Sequence, residues 1–229
     1  MLVIGFAALP LLTAYAYAQT NRGFPASRVP GLSQVFVLFF VMLGPIKIIV
    51  PFALMMGDAE EQSCRKLAVH AFAIASVTTL VAAAAGRAIL ENWHVSLGAL
   101  LIAGGVILFL VALRLVLQQY ADAPLTPPDL PLSGAAIRLA FPTIVTPYGI
   151  ATVIILLSIS PDGFYVMGIA AALIGVMVLN LLAMLYARKI LKAIGIMPLQ
   201  IVGSVLSVLQ VALGVQMILG GLRIIGLLP

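Results

Sequence analysis

Six apolar stretches, Ser33 to Met56, Leu67 to Leu90, Ser96 to Leu117, Leu139 to Ile159, Phe164 to Ala187 and Leu199 to Leu219, run through this chain without a single acidic residue. Each matches the roughly 20 residues that a helix needs to cross a bilayer. The sequence therefore predicts an all-α membrane protein with six transmembrane helices. Transmembrane β-strands would alternate polar and apolar residues in pieces of about ten, whereas these stretches are apolar on every side. The connections carry turn-forming residues: Gly57-Asp58 with Glu60 and Glu61, Glu91-Asn92, the Pro-rich stretch Ala121 to Pro131, Ser160-Pro161-Asp162-Gly163, and Gly195 to Pro198.

Composition excludes other classes. Hydrophobic residues make up 63% of the chain and charged residues 8%, against roughly a quarter charged in an ordinary soluble domain. The net charge of +5 comes from Lys and Arg scattered singly or in pairs, nearly all at the ends of apolar runs, so no basic patch for nucleic acid is apparent in the sequence. Cys64 is the sole cysteine, which rules out an intrachain disulfide and a metal site of several thiolates. All seven carboxylates lie in or beside connections, and there is no phosphate loop or dinucleotide fingerprint. The expectation is a protein that is no enzyme, holds no cofactor and has the lipid bilayer as its main partner, with a homo-oligomer as a further option.

Met1 to Ala18 is apolar and ends in Ala16-Tyr17-Ala18, a small-residue pattern typical of cleavage sites, although no basic residue precedes it. It reads as a signal-like segment or as an uncleaved seventh span that Pro10 makes awkward. Either way Gln19 to Pro30 is delivered outside the cytoplasm. The charges support that orientation: Arg65, Lys66, Arg114, Arg138, Arg188, Lys189 and Lys192 fall on the cytoplasmic side, while Arg22, Arg28, Arg87 and Arg223 fall outside. The C-terminus then also lies outside.

Sliding the chain against itself by about one hundred residues aligns Pro45 with Pro147, Gly86-Arg87-Ala88-Ile89-Leu90 with Ala187-Arg188-Lys189-Ile190-Leu191, and Ala103-Gly104-Gly105-Val106 with Val202-Gly203-Ser204-Val205. The expected organisation is a signal-like segment with an external stretch (1–32), a first three-helix repeat (33–120), a cytoplasmic linker (121–138) and a second repeat (139–229). Because three crossings reverse direction, the second unit is inverted relative to the first, as in many secondary transporters.

Prolines mark corresponding places in the two halves. Gly44-Pro45 and Pro51 interrupt the first run, and Pro142, Thr143, Thr146-Pro147 and Gly149 interrupt the fourth. A proline deletes a backbone donor, and the carbonyls it frees must find partners in protein, water or solute. Lys47 lies between the first two prolines, about ten residues or roughly 15 Å from the end of its run at Met56. A lysine at that depth stays neutral, reaches a watery cavity or a carbonyl end, meets an anionic ligand, or snorkels to an interface. Asn180 and Gln210 are the other site candidates, because their amides cannot satisfy themselves on their own helix as readily as Thr78, Thr79, Ser204 or Ser207.

These motifs carry a resemblance: Gly44-Pro45 through Pro51-Phe52, Ile102-Ala103-Gly104-Gly105, Leu139-Ala140-Phe141-Pro142, Thr146-Pro147-Tyr148-Gly149 and Gly214-Val215-Gln216. The stretch from Val35 to Leu222 resembles the MarC-type family, also described as neutral amino acid transporters. The resemblance implies a bacterial inner-membrane protein of six helices in two inverted triplets, some of whose members carry small neutral amino acids. Relative to that family, Gly44 replaces an Asn or Asp, Lys47 a small residue, and Thr146-Pro147-Tyr148 a Gly-Pro-Gly. The expected function is secondary transport or export of a small polar solute; the sequence leaves ion coupling open, with H+ and Na+ the candidates. The alternatives are a membrane scaffold or sensor, and a small pore.

Overall fold

A computed structural model describes residues 30–57, 59–118 and 132–228. The signal-like segment, the external stretch up to residue 29 and most of the Pro-rich linker therefore lie outside the described residues. Within them every regular element is helical: α1 (Leu32–Leu43), α2 (Ile46–Met56), α3 (Glu61–Asn92), α4 (Leu97–Gln118), α5 (Leu132–Arg138), a π-helical turn (Leu139–Ile144), α6 (Pro147–Ser158), α7 (Gly163–Leu185), α8 (Ala187–Ile194) and α9 (Ile196–Ile224).

Five segments among the described residues are long and apolar enough to cross a membrane: Leu32–Met56, Glu61–Leu90, Leu97–Leu117, Gly163–Leu185 and Ile196–Ile224. The fourth apolar run, expected as one helix from Leu139 to Ile159, is instead divided. Pro142 has no N–H to return to the Arg138 carbonyl, and the turn widens so that Val145 N donates to Ala140 O at 2.8 Å, the five-residue step of a π-helix. The Thr143 hydroxyl takes the vacated Arg138 carbonyl at 3.1 Å. Thr146, which precedes Pro147, is pushed to extended backbone (ψ 147°) and caps α6 by accepting from Gly149 N at 3.1 Å. The first run divides in the same way, at Gly44-Pro45 between α1 and α2.

Two further differences concern helix ends. Gly195, with φ +85°, breaks the chain between α8 and α9, but Pro198 sits in the first turn of α9, where a missing N–H is harmless, and not in a loop. The segment after Tyr186 forms α8, a short helix carrying Arg188, Lys189 and Lys192 beside Ile190, Leu191 and Ile194.

The broken α1–α2 unit is the centre of the bundle. Within an apolar 18-residue stretch of it 50% of residues are buried, against 22% to 33% in the corresponding stretches of the other four. Val35, Phe39 and Met42 of α1 and Ile48, Ile49 and Phe52 of α2 are buried at helical spacing, and the unit touches α6, α7, α8, α9 and the π turn. The outward faces stay apolar: Val77 and Val81 of α3, Leu110 of α4 and Ile201 and Val208 of α9 are exposed. Lipid is the solvent for such faces, so packing between helices rests on close fit and polar contacts more than on water exclusion.

Close fit is most evident between α4 and α9. Gly98 and Gly105 recur every seventh residue on α4, and Gly214 and Gly221 do so on α9, so the antiparallel backbones pair glycine with glycine. A Cβ on Gly214 would stand 2.9 Å from the Gly105 carbonyl, and one on Gly221 would stand 2.6 Å from that of Gly98. Gly203 and Gly220, on the same helix, face open space. Alanine substitutions should therefore split by sign. Gly214→Ala and Gly221→Ala are expected to destabilise by about 1–3 kcal/mol through overpacking, while Gly203→Ala and Gly220→Ala gain up to about 1 kcal/mol of helix propensity, as read from thermal unfolding in detergent.

Candidate functional site

The break at Gly44-Pro45 strands three consecutive carbonyls. In an unbroken helix the Val41 oxygen would accept from residue 45, which is proline and has no N–H; the donors for Met42 and Leu43 lie beyond the turn. Each oxygen is met by a side chain. Gln210 Nε2 of α9 donates to Val41 O at 2.6 Å, Lys47 Nζ to Met42 O at 3.1 Å, and Asn180 Nδ2 of α7 to Leu43 O at 2.7 Å. Gly44 is buried here, and a Cβ at this position would fall on the Phe40 carbonyl. That close backbone approach admits glycine and no larger residue.

The second break abuts the first. A Cβ on Gly149 would press against the Leu43 side chain, so the first turn of α6 packs on the last turn of α1. Tyr148, 1% exposed, places its hydroxyl 3.0 Å from Lys47 Nζ and 3.5 Å from the Met42 carbonyl. The Lys47 nitrogen also lies 5.5 Å from the centroid of the Tyr148 ring, within cation–π range. Thr152, one turn further along α6, donates to Tyr148 O at 2.8 Å and approaches Met42 Sδ at 3.2 Å.

The two amides each keep one unused group. Asn180 and Gln210 are 1% and 0% exposed, and Asn180 Oδ1 and Gln210 Oε1 are buried without a hydrogen-bond partner. Turning either amide over would set its oxygen against a carbonyl oxygen, so the carbonyls of Val41 and Leu43 dictate which end points away. The site thus offers two buried acceptors and the Lys47 amine. An acceptor left bare in a low-dielectric interior is costly, and a polar ligand or water relieves it.

Of the sequence-derived candidates, Gly44, Pro45, Lys47, Thr146, Pro147, Gly149, Asn180 and Gln210 come together around this junction. Pro142 and Thr143 belong to the π turn that precedes it, and the Thr143 hydroxyl is engaged locally with Arg138. Pro51 does not join them. It lies exposed inside the intact helix α2. Sequence reasoning passed over Tyr148 and Thr152, although a tyrosine at mid-run, away from the interfacial belts where tyrosines concentrate, was a usable signal. It also passed over Arg188 as a contact residue. The Arg188 guanidinium donates to the carbonyls of Met56 (3.2 Å), Gly57 (2.7 Å) and Ala59 (2.7 Å), closing the far end of α2. Among the described residues no group of three or more His, Cys, Asp or Glu could hold a metal ion.

Removing either amide should expose its role. Asn180→Ala and Gln210→Ala each leave a buried carbonyl without a donor, and each is expected to lower unfolding free energy by about 1–3 kcal/mol. Thr143→Ala, whose hydroxyl serves a carbonyl at the more exposed end of the π turn, should cost less than either. Thermal unfolding in detergent measures all three.

Residues 30–225 match the model of the MarC family of integral membrane proteins. A UPF0056 membrane protein of Pyrococcus horikoshii is 26% identical over 186 residues, covering 81% of this chain and 90% of that protein. A second from the same organism is 25% identical over 190 residues, covering 80% and 90%, and one from Pyrococcus abyssi is 24% identical over 190 residues, covering 82% and 92%. No solved structure matches the chain. These relatives are archaeal, so they lend nothing to the bacterial inner membrane that the resemblance implied. With the family model spanning nearly all the described residues, the chain belongs to the MarC family of integral membrane proteins.

Proposed function

We propose that this protein is a secondary transporter or exporter of a small polar solute, built from two inverted three-helix units. In this reading the sixth crossing is made by the π turn, the extended pair Val145-Thr146 and α6 together. The observation that carries it is the junction of two interrupted helices, where Lys47, Tyr148, Asn180 and Gln210 gather in an otherwise apolar bundle. Interrupted helices at membrane depth are the usual seat of substrate and ion sites in transporters.

Support for the duplication comes from matched details about one hundred residues apart. Gly44-Pro45 and Thr146-Pro147 end one half-helix and begin another, and buried Thr79 bonds the carbonyl of Ala75 as buried Asn180 bonds that of Val176. A duplicated, inverted pair of units provides two packings of similar energy, one open to each side.

Neutral amino acids are the first solutes to test. The carbonyls of α1 already have protein partners, so they are poor receptors for a solute ammonium. Asn180 Oδ1 and Gln210 Oε1 are the free acceptors for it, and Lys47 supplies the charge that suits a carboxylate. The wider assignment is a multi-pass protein of the cell's plasma membrane with both ends of the six-helix region outside.

Proteoliposomes loaded with radiolabelled glycine, alanine or serine test this. Wild type is expected to carry at least one of them, and Asn180→Ala or Gln210→Ala to lose at least about tenfold in flux with helix content retained, the order expected when one buried hydrogen bond to the solute is lost. Flux indistinguishable from protein-free liposomes for every solute tried would favour a scaffold or sensor.

A further inference from the structure

Carbonyl oxygens at the C-terminal end of a half-helix carry the negative end of its dipole, and in membrane transporters such ends hold free cations. Here the end of α1 already has one. Lys47 lies four residues beyond Leu43, in the first turn of α2, and its side chain folds back across the break to the Met42 carbonyl at 3.1 Å. The Tyr148 hydroxyl at 3.0 Å and the Tyr148 ring complete a cradle from the other interrupted helix. All three features, a carbonyl oxygen, a hydroxyl oxygen and an aromatic face, are those that stabilise a small cation. Among the described residues the partners of Lys47 are a carbonyl, a hydroxyl and an aromatic ring, so there it is held by dipoles and a π-face.

We propose that the Lys47 ammonium is a resident cation, tethered in a monovalent-cation site formed by the Met42 carbonyl and Tyr148, and that this site needs no free sodium or potassium while Lys47 occupies it. The tether makes the cation a permanent part of the junction between the two broken helices. Cutting the side chain back to Cβ empties the site without altering its walls. What then fits is a small primary alkylammonium: n-propylammonium has the three carbons and the nitrogen that Lys47→Ala deletes. Sodium would fill the nitrogen's place alone. This inference goes beyond the transport reading and holds or fails without it.

The test is thermal unfolding of purified full-length protein in detergent, in choline, sodium or n-propylammonium chloride at equal ionic strength. Wild type is expected to unfold at one temperature in all three salts. Lys47→Ala should unfold lower in choline and recover by about 5 °C or more in saturating n-propylammonium, the size of shift that ligand binding gives a chain of this length. Lys47→Met, which refills the stem without charge, should be destabilised and show no recovery. The proposal is overturned if Lys47→Ala responds to n-propylammonium no more than wild type does, or if Lys47→Met is as stable as wild type. Should Lys47→Ala fail to purify, Lys47→Arg and Lys47→Met decide: Arg must keep the wild-type unfolding temperature and Met must lower it, and the reverse order refutes the resident cation. Because no solute enters these measurements, an absence of flux in proteoliposomes leaves their outcome unaffected.

Discussion

Three carbonyl oxygens in a row, of Val41, Met42 and Leu43, have no backbone donor, and the rest of this fold is arranged around supplying them with one. In water such a break would be trivial, because solvent would fill the gap. In the interior of a membrane bundle each orphaned carbonyl costs free energy until a side chain reaches it. The three donors come from three places: Gln210 on α9, Asn180 on α7 and Lys47 on α2 itself. The interruption in one helix therefore fixes where two others, α7 and α9, must pass.

This arrangement differs from ordinary helix packing in how it can move. A continuous helix resists bending because each turn is tied to the next by backbone bonds. At Gly44-Pro45 the ties are side chains, which exchange partners by rotation about single bonds. The far end of α2 is held in the same manner by Arg188, which grips the carbonyls of Met56, Gly57 and Ala59. The half-helix α2 is thus suspended between two sets of side-chain contacts. Both of its ends therefore rest on side-chain bonds and not on a continuous backbone ladder. The glycine-lined seam between α4 and α9 is of the opposite character, since backbones in direct contact leave no room for sliding.

Much of this was legible in the sequence. Apolar runs free of carboxylates located the helices because only a fully bonded backbone survives in lipid, and the prolines located both breaks. Asn180 and Gln210 stood out because a buried amide needs partners outside its own helix. Other features were hidden for physical reasons. Pro51 carries the same chemistry as Pro45 yet sits exposed inside α2 without ending it, and the sequence alone does not separate the two. Tyr148 reads as one more large apolar residue until the fold brings its hydroxyl to Lys47, which lies about one hundred residues earlier. The helix α8 was missed because its residues form no apolar run: Arg188, Lys189 and Lys192 are interleaved with Ile190, Leu191 and Ile194 and separate only when wound into a helix. Gly203 resembled Gly214 in the sequence, and only the neighbours across the seam tell them apart.

The measurement that bears most directly on the broken-helix account is a carbon–nitrogen distance. Protein labelled with [15Nζ]lysine and [13C′]methionine and reconstituted in lipid should show dipolar dephasing by solid-state NMR, at about 4 Å or less, from the Lys47 nitrogen to the Met42 carbonyl carbon, as a hydrogen bond to that carbonyl requires. That signal should vanish in Lys47→Leu. Equal dephasing in wild type and Lys47→Leu would mean that the lysine does not close the break, and that the α1 carbonyls are satisfied in some other way.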